Sequence, residues 1–138
     1  MKPSPFLWLL PLLLMISNGL QADPARIVYH LHQLKPVTLK RALNNIENLY
    51  KGLHSERPEI RMLLQGESLQ LLTRERLKGA YRQRLTALLQ KGLVLEAGET
   101  NYRRLHDRLD PAFPARLNRN ILSRLVDLQK QGYQYVTP

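Results

Sequence analysis

Three junctions along the chain share one pattern, in which a helix ends, a glycine follows and an apolar strand begins. The pattern occurs in TALLQKGLVLEA (residues 86–97), in LVDLQKQGYQYVTP (residues 125–138) and, with a longer turn, in YKGLHSERPEIRMLL (residues 50–64). Glycine suits these junctions because it adopts the positive φ that reverses the chain. Strands that alternate with helices predict an α/β fold, with a mainly parallel sheet and helices on both faces.

The spacing of apolar residues predicts about five strands and four main helices. The strands are expected at residues 26–32, 59–65, 93–95, 115–118 and 133–137. The helices are expected at residues 38–53, 74–91, 100–109 and 121–128, with a short helical piece at 69–72. Gly52 is expected to be a left-handed helix cap, and Leu77 and Ala80 are expected to face the core.

The first 22 residues have the order of regions that is typical of a secretory signal peptide. Lys2 supplies the positive start, Phe6 to Ile16 form an apolar run, and small or polar residues follow up to Ala22. The alternative is a membrane anchor, but the run is shorter than the roughly 20 apolar residues that span a bilayer. We therefore expect cleavage after Ala22, or else after Gly19, and a folded domain of residues 23–138 in the periplasm or outside the cell.

The chain is strongly basic, with a formal net charge of +10. Removal of residues 1–22 would leave 20 basic and 11 acidic residues, so the charge belongs to the predicted domain. A basic surface is expected from a set of cationic side chains: Arg74, Arg76, Lys78, Arg82, Arg84, Arg103, Arg104 and Arg108. The simplest interpretation is a solvated helix face. Among anionic partners, a membrane surface or an acidic protein fits better than nucleic acid, for which no binding motif or aromatic platform is recognised.

The sequence contains no cysteine. This excludes disulfides, thiolate metal sites and a thiol nucleophile. The sequence also has no G-x-S-x-G elbow, no glycine-rich phosphate loop and no H-E-x-x-H motif. The composition and motifs therefore favour a non-catalytic protein over an enzyme.

Several short segments occur in an order that resembles a known family. They are VYHLH (28–32), ALNNIENL (42–49), QGESLQLL (65–72), QKGLVLEAGETN (90–101) and, above all, the ending LVDLQKQGYQYVTP. Together they resemble DsrE/DsrF-like proteins over most of residues 26–138. The resemblance implies a three-layer α/β/α fold and frequent homo-oligomers. It also implies a sulfur-relay activity, in which sulfane sulfur is carried on a cysteine near the end of the third strand.

The chain departs from that family at the reactive position. Where such proteins have the cysteine, residues 95–100 read LEAGET, and Gly98 is the best match. His30 matches a histidine that often follows the first strand, and Thr100 or Asn101 matches a polar pair beyond the cysteine. Because no side chain here can hold a persulfide, the resemblance implies a member that has kept the scaffold and lacks the reactive atom.

A candidate ligand crevice lies where the predicted strands end, because open α/β sheets bind ligands at the carboxyl ends of their strands. Its members are His30, His32, Gln65, Gly66, Glu67, Gly98, Glu99, Thr100 and Asn101. They could bind a small polar ligand, or they could simply be solvated loop residues and a helix start. His30 and His32 lie two apart on a strand and should face the same side. Two imidazoles with Glu67 or Glu99 as a third ligand could begin a metal site. Two histidines without a recognised third ligand are weak evidence for a metal, so no metal or cofactor is predicted.

Three hypotheses about function remain open. The first is an exported, non-catalytic DsrE-like binding or assembly module, expected to be a homo-oligomer. The second is an accessory subunit of a sulfur-relay system that works with a cysteine-bearing sulfurtransferase partner. The third is a metal-binding or small-ligand-binding protein that uses His30 and His32.

Overall fold

The computed structural model describes residues 23–138, so the predicted signal peptide lies outside the described residues. Five strands form one sheet in the order β4-β3-β2-β1-β5, and every neighbouring pair is parallel. The strands are β1 (Arg26–Leu31), β2 (Glu59–Leu64), β3 (Val94–Gly98), β4 (Arg116–Asn118) and β5 (Gln134–Val136). The predicted five-stranded parallel sheet is confirmed.

Helices cover both faces of this sheet. They are α1 (Thr38–Gly52), α2 (Gly79–Gln90), α3 (Glu99–Leu105) and α4 (Ile121–Lys130), with 3-10 turns at His54–Glu56 and Gly66–Leu72. Asn120 begins α4, because its side chain accepts hydrogen bonds from the backbone N–H groups of Leu122 and Ser123. Among residues 23–138, no helix has both the length and the hydropathy that crossing a membrane requires.

The main core lies on the face covered by α1, α2 and α3. Alternate strand residues point to it, including Tyr29 of β1, Met62 of β2 and Leu95 of β3. Leu43 and Ile46 of α1 are fully buried against this face, because apolar residues recur along α1 at helical spacing. The intervening strand residues face the opposite side of the sheet.

The second core is smaller and lies beneath α4 alone. Val28 of β1 and Leu63 of β2 pack there with Ile121 and Leu128 of α4 and with Tyr133. Together, the two cores and the sheet between them make three layers, as the fold prediction required. The two sides of the sheet are therefore unequal, with one ten-residue helix covering the second face.

The glycine junctions are confirmed at two of the three positions. Gly92 and Gly132 have φ of 106° and 94°, and each one precedes the strand that follows its helix. The prediction for Gly52 is wrong, because Gly52 is the last residue of α1 and has no positive φ. At this junction a 3-10 turn intervenes, and the left-handed residue is Arg57, with φ of 50°.

The helix predicted at residues 74–91 begins later than expected. Thr73 forms an antiparallel bridge with Leu109, and its carbonyl accepts the N–H groups of Arg76 and Leu77 in a turn. Gly79, with φ of 55°, then allows α2 to start. Leu77 is buried, as predicted, but Ala80 is exposed.

The third strand and the helix after it also have different ends from those predicted. The strand continues from Leu95 to Gly98, and the helix runs over Glu99–Leu105 instead of residues 100–109. The apolar pattern stops at Glu96, which is why the sequence suggested a shorter strand. Glu96 can continue the strand because its charge is compensated inside the protein.

The carboxylate of Glu96 is fully buried beside α4. It accepts hydrogen bonds from Arg61 Nη1 at 2.9 Å, Arg124 Nε at 2.8 Å and Asn118 Nδ2 at 3.0 Å. Burial alone would raise the pKa of Glu96, but the hydrogen bonds from Arg124, Asn118 and Arg61 outweigh it and hold the pKa below its usual value. This cluster ties β2, β3, β4 and α4 together.

Replacing Glu96→Gln is expected to lower the free energy of unfolding by about 3 kcal/mol, because it leaves two guanidinium groups facing each other without their carboxylate. The matched control is Glu75→Gln, which removes an exposed ion pair to Arg108 of 3.5 Å and should cost less than about 1 kcal/mol. Urea unfolding of both variants near neutral pH measures the difference.

The same comparison has a pH signature. Because the pKa of Glu96 is depressed in the folded protein, its stabilisation is complete above the unfolded-state pKa of about 4.3 and is lost as the pH falls through the folded-state value. The stability gap between the wild type and Glu96→Gln should therefore shrink in acid. A gap that is absent at neutral pH would contradict a stabilising role for this carboxylate.

Candidate functional site at the carboxyl edge of the sheet

All five strands are parallel, so their carboxyl ends meet at one edge, as the crevice prediction requires. His30, near the end of β1, is buried on the face that α4 covers. Its Nδ1 lies 2.8 Å from the Tyr135 hydroxyl oxygen, and its Nε2 lies 2.7 Å from Gln65 Oε1. Three strand ends are thus joined by one imidazole.

The surroundings of His30 favour the neutral ring. Burial lowers the pKa of His30, the hydrogen bond with Gln65 opposes this, and the charge of nearby His32 lowers the pKa further. A neutral imidazole has one N–H donor and one acceptor nitrogen. Tyr135 and Gln65 occupy both, so His30 has no nitrogen left to act as a base while these contacts hold.

His32 follows β1 and is exposed to solvent. Its ring centroid lies 5.2 Å from that of His30, which confirms that the two side chains share a side. His32 also lines a cavity of about 320 Å³ with Lys35, Arg41 and Thr137, among others. Within residues 23–138, no three His, Cys, Asp or Glu side chains form a metal-binding group, so neither Glu67 nor Glu99 completes a site with the histidines.

Three other predicted residues gather in a separate small cavity. Gly66, Glu67 and Asn101 line about 160 Å³ together with Gln70, Arg104 and Leu105. Since a water molecule takes about 30 Å³ of liquid, this space admits only a few waters or one small polar molecule. The predicted crevice is therefore divided into a histidine part and an amide-and-carboxylate part.

The remaining predicted residues lie at the junction of β3 and α3. Gly98 precedes α3 with φ of −78° and ψ of 139°, a conformation that any residue can adopt. A Cβ atom built on Gly98 would meet no atom within 4 Å. Glu99 makes a long ion pair of 3.9 Å with Arg103, and Thr100 is exposed. Neither backbone conformation nor crowding requires glycine at position 98.

Sequence reasoning missed Tyr135, Gln70 and Arg104 as members of this edge. Tyr135 reaches His30 because β5 pairs with β1, with Val28 opposite Tyr135. That pairing joins the last strand to the first, and no local pattern reveals it. For Arg104 the sequence suggested only a basic surface, because its place beside Gln70 in the wall of this cavity depends on how α3 is placed.

The predicted basic surface is partly neutralised. Arg82 pairs with Asp110, and Arg84 pairs with Glu47. The side chains of Arg74, Arg76 and Lys78 remain exposed, as predicted, but they lie in the turn before α2 and not on a helix face.

Comparison with known proteins supports the fold alone. The chain is similar to the solved structure of a protein of unknown function, MTH1491, from Methanobacterium thermoautotrophicum, with a TM-score of 0.68 and 20% sequence identity. The match covers 83% of this chain and 99% of the archaeal chain. No protein-family model matches the sequence. No curated protein is significantly similar to it.

Proposed function

We propose that the protein is a non-catalytic, exported binding or assembly module of the DsrE/DsrF-like type, and that it self-associates through the outer face of α4. The observation that carries this proposal is the exposure of two large apolar side chains one helical turn apart. Leu122 and Val126 are 51% and 49% exposed on α4, the one helix of residues 23–138 that covers the second face of the sheet.

The charge of α4 supports a second copy of this chain as its partner. Arg124 is bonded to buried Glu96, and the remaining charges of α4, Asp127 and Lys130, have opposite signs. The helix is thus close to neutral, whereas α1 and α2 carry an excess of cationic residues. Two strongly basic chains repel each other least where their facing surfaces are neutral. A twofold-symmetric contact also brings each patch onto itself, so that Asp127 of one copy can pair with Lys130 of the other.

A non-catalytic role is supported by the state of the polar groups near the site. The nitrogens of His30 are both hydrogen-bonded, and the Glu96 carboxylate accepts hydrogen bonds from three side chains. These groups therefore have their hydrogen-bonding capacity engaged in holding strands together.

We expect the double variant Leu122→Ser/Val126→Ser to weaken self-association by at least about 10-fold, because each dimer loses four buried apolar side chains. Val37→Ser is the matched control, because Val37 is 52% exposed but lies outside α4. Sedimentation velocity over a concentration series measures the dissociation constants.

The salt dependence of the dissociation constant provides a second test of self-association. Raising the salt from about 0.05 M to about 0.5 M screens the repulsion between two basic chains, so it should strengthen the dimer. An acidic partner would show the opposite dependence. A wild type that stays monomeric at high salt and high micromolar concentration would refute self-association through this helix.

We propose as a second candidate an accessory subunit of a sulfur-relay system that acts with a cysteine-bearing partner. The free space at Gly98 favours this candidate, because the resemblance assigns this position to the cysteine of DsrE/DsrF-like proteins and a side chain has room there. The wild-type chain should gain no sulfur from a persulfide donor on its own, whereas it should co-purify with a thiol-bearing protein.

Installing the missing thiol tests the resemblance directly. Gly98→Cys should fold with stability within about 1 kcal/mol of the wild type, because no atom blocks the new side chain. We expect it to gain one sulfur atom from a small persulfide donor, as measured by intact mass. Ala97→Cys is the control, because the side chain of Ala97 is packed in the main core and its thiol should stay unmodified, whereas a Cβ at the equally buried Gly98 meets no atom within 4 Å. Equal modification of both variants, or of neither, would contradict the correspondence at position 98.

A further inference from the structure

A larger cavity lies at the opposite edge of the sheet, where β2 begins. It has a volume of about 710 Å³ and is lined by Tyr50, Lys51, His54, Arg57, Pro58 and Lys91. Cavities of about 300–1,000 Å³ are the size that holds small organic ligands. The residues come from the end of α1, the turn before β2 and the residue after α2, so the cavity is distinct from the carboxyl edge.

No carboxylate is among the residues that line this cavity, whereas three permanent cations are. Lys51, Arg57 and Lys91 bring a charge of about +3, and the carboxyl ends of α1 and α2 offset it by about −0.5 each. A net charge of about +2 therefore remains. The nearby carboxylate of Glu47 does not cancel it, because Glu47 is already paired with Arg84. An anion would be drawn to this cavity.

Tyr50 gives the cavity an aromatic wall. Lys91 Nζ lies 5.9 Å from the centroid of its ring. The Tyr50 hydroxyl is buried and has no hydrogen-bond partner among the described residues. Burial raises the pKa of Tyr50 to about 12, so the hydroxyl keeps its proton and remains a donor at neutral pH. The hydroxyl is closed off from solvent, so the face of the ring is the part of Tyr50 that the cavity can use.

Arg57 is held in a conformation that non-glycine residues rarely adopt. It is the one non-glycine residue of the described chain with positive φ, at 50°. Such strain costs on the order of 1 kcal/mol and is concentrated at functional sites. Here the strained turn between α1 and β2 supplies one of the cations that line the cavity.

We infer that this cavity binds a small organic anion that has an apolar or aromatic body, such as a phosphate monoester or a carboxylate. The cations of Lys51, Arg57 and Lys91 recognise the anionic group. The ring of Tyr50, the ring of Pro58 and the aliphatic stems of the lysines pack against the body. Binding here involves neither the α4 surface nor the carboxyl edge.

Isothermal titration of the purified protein with phenyl phosphate tests the inference. We expect phenyl phosphate to bind at least about 10-fold more tightly than inorganic phosphate, which lacks the body, or benzyl alcohol, which lacks the charge. Arg57→Asn and Lys91→Gln should each weaken binding by about 10-fold, since each removes a charge-assisted contact. Asparagine is chosen for position 57 because it tolerates positive φ.

Tyr50→Phe tests whether the ring of Tyr50, without its hydroxyl, is enough for binding. The variant keeps the ring and removes a hydroxyl that is closed off from solvent and has no partner in the protein, so it should fold normally and bind phenyl phosphate within about twofold of the wild type. Lys40→Gln is the control, because it removes the same charge as Lys91→Gln from an exposed position of α1 away from the cavity. Absence of phenyl phosphate binding, or equal weakening by Lys40→Gln and Lys91→Gln, would overturn the inference. Equal affinity for inorganic phosphate would overturn the apolar part of the site.

Discussion

Parallel pairing of the strands is the constraint on which the rest of the structure depends. Because β1 pairs in parallel with both β2 and β5, and β2 pairs in the same way with β3, each connection must return across a face of the sheet. Helices make most of these returns, so both faces are covered. The same constraint gathers every carboxyl end at one edge and every amino end at the other. The carboxyl and amino ends of the strands thus bring different sets of side chains together.

The fold could be predicted because its signals are local. Glycine junctions such as those at Gly92 and Gly132 and the apolar runs of the inner strands depend on residues close together in sequence. The errors at the start of α2 and the end of β3 occurred where distant residues decide the structure. The start of α2 is delayed because Thr73 bridges to Leu109, and β3 continues through Glu96 because Arg61 and Arg124 compensate its charge. Neither contact can be predicted from the spacing of apolar residues along the chain.

The candidate site was also predictable only where local signals decide the structure. Parallel strands were enough to place His30 and Gln65 together, since both lie at strand ends. Tyr135 was not predictable, because its contact depends on which strand pairs with β1 and in which register. The crevice as a whole was not predictable either. The ends of neighbouring strands are adjacent as backbone, but their side chains alternate between two faces, so Gly66, Glu67 and Asn101 form a space of their own.

The two faces of the sheet differ in the size of their cores and in their charge, and this difference affects how so basic a chain can associate. The side with α1, α2 and α3 contains the larger core and most of the helical charges, so charge repulsion disfavours a second copy on that side in the proposed assembly. The side with α4 contains the small core, and the ion pair beneath that helix places the charge of Arg124 against Glu96 and away from solvent. Burying Glu96 therefore has a consequence at the surface as well as in the core. The ion pair neutralises the positive charge of Arg124 on α4, which is the one helix of residues 23–138 with large apolar side chains about half exposed. In the proposed assembly, this neutrality makes close approach of a second basic chain feasible there.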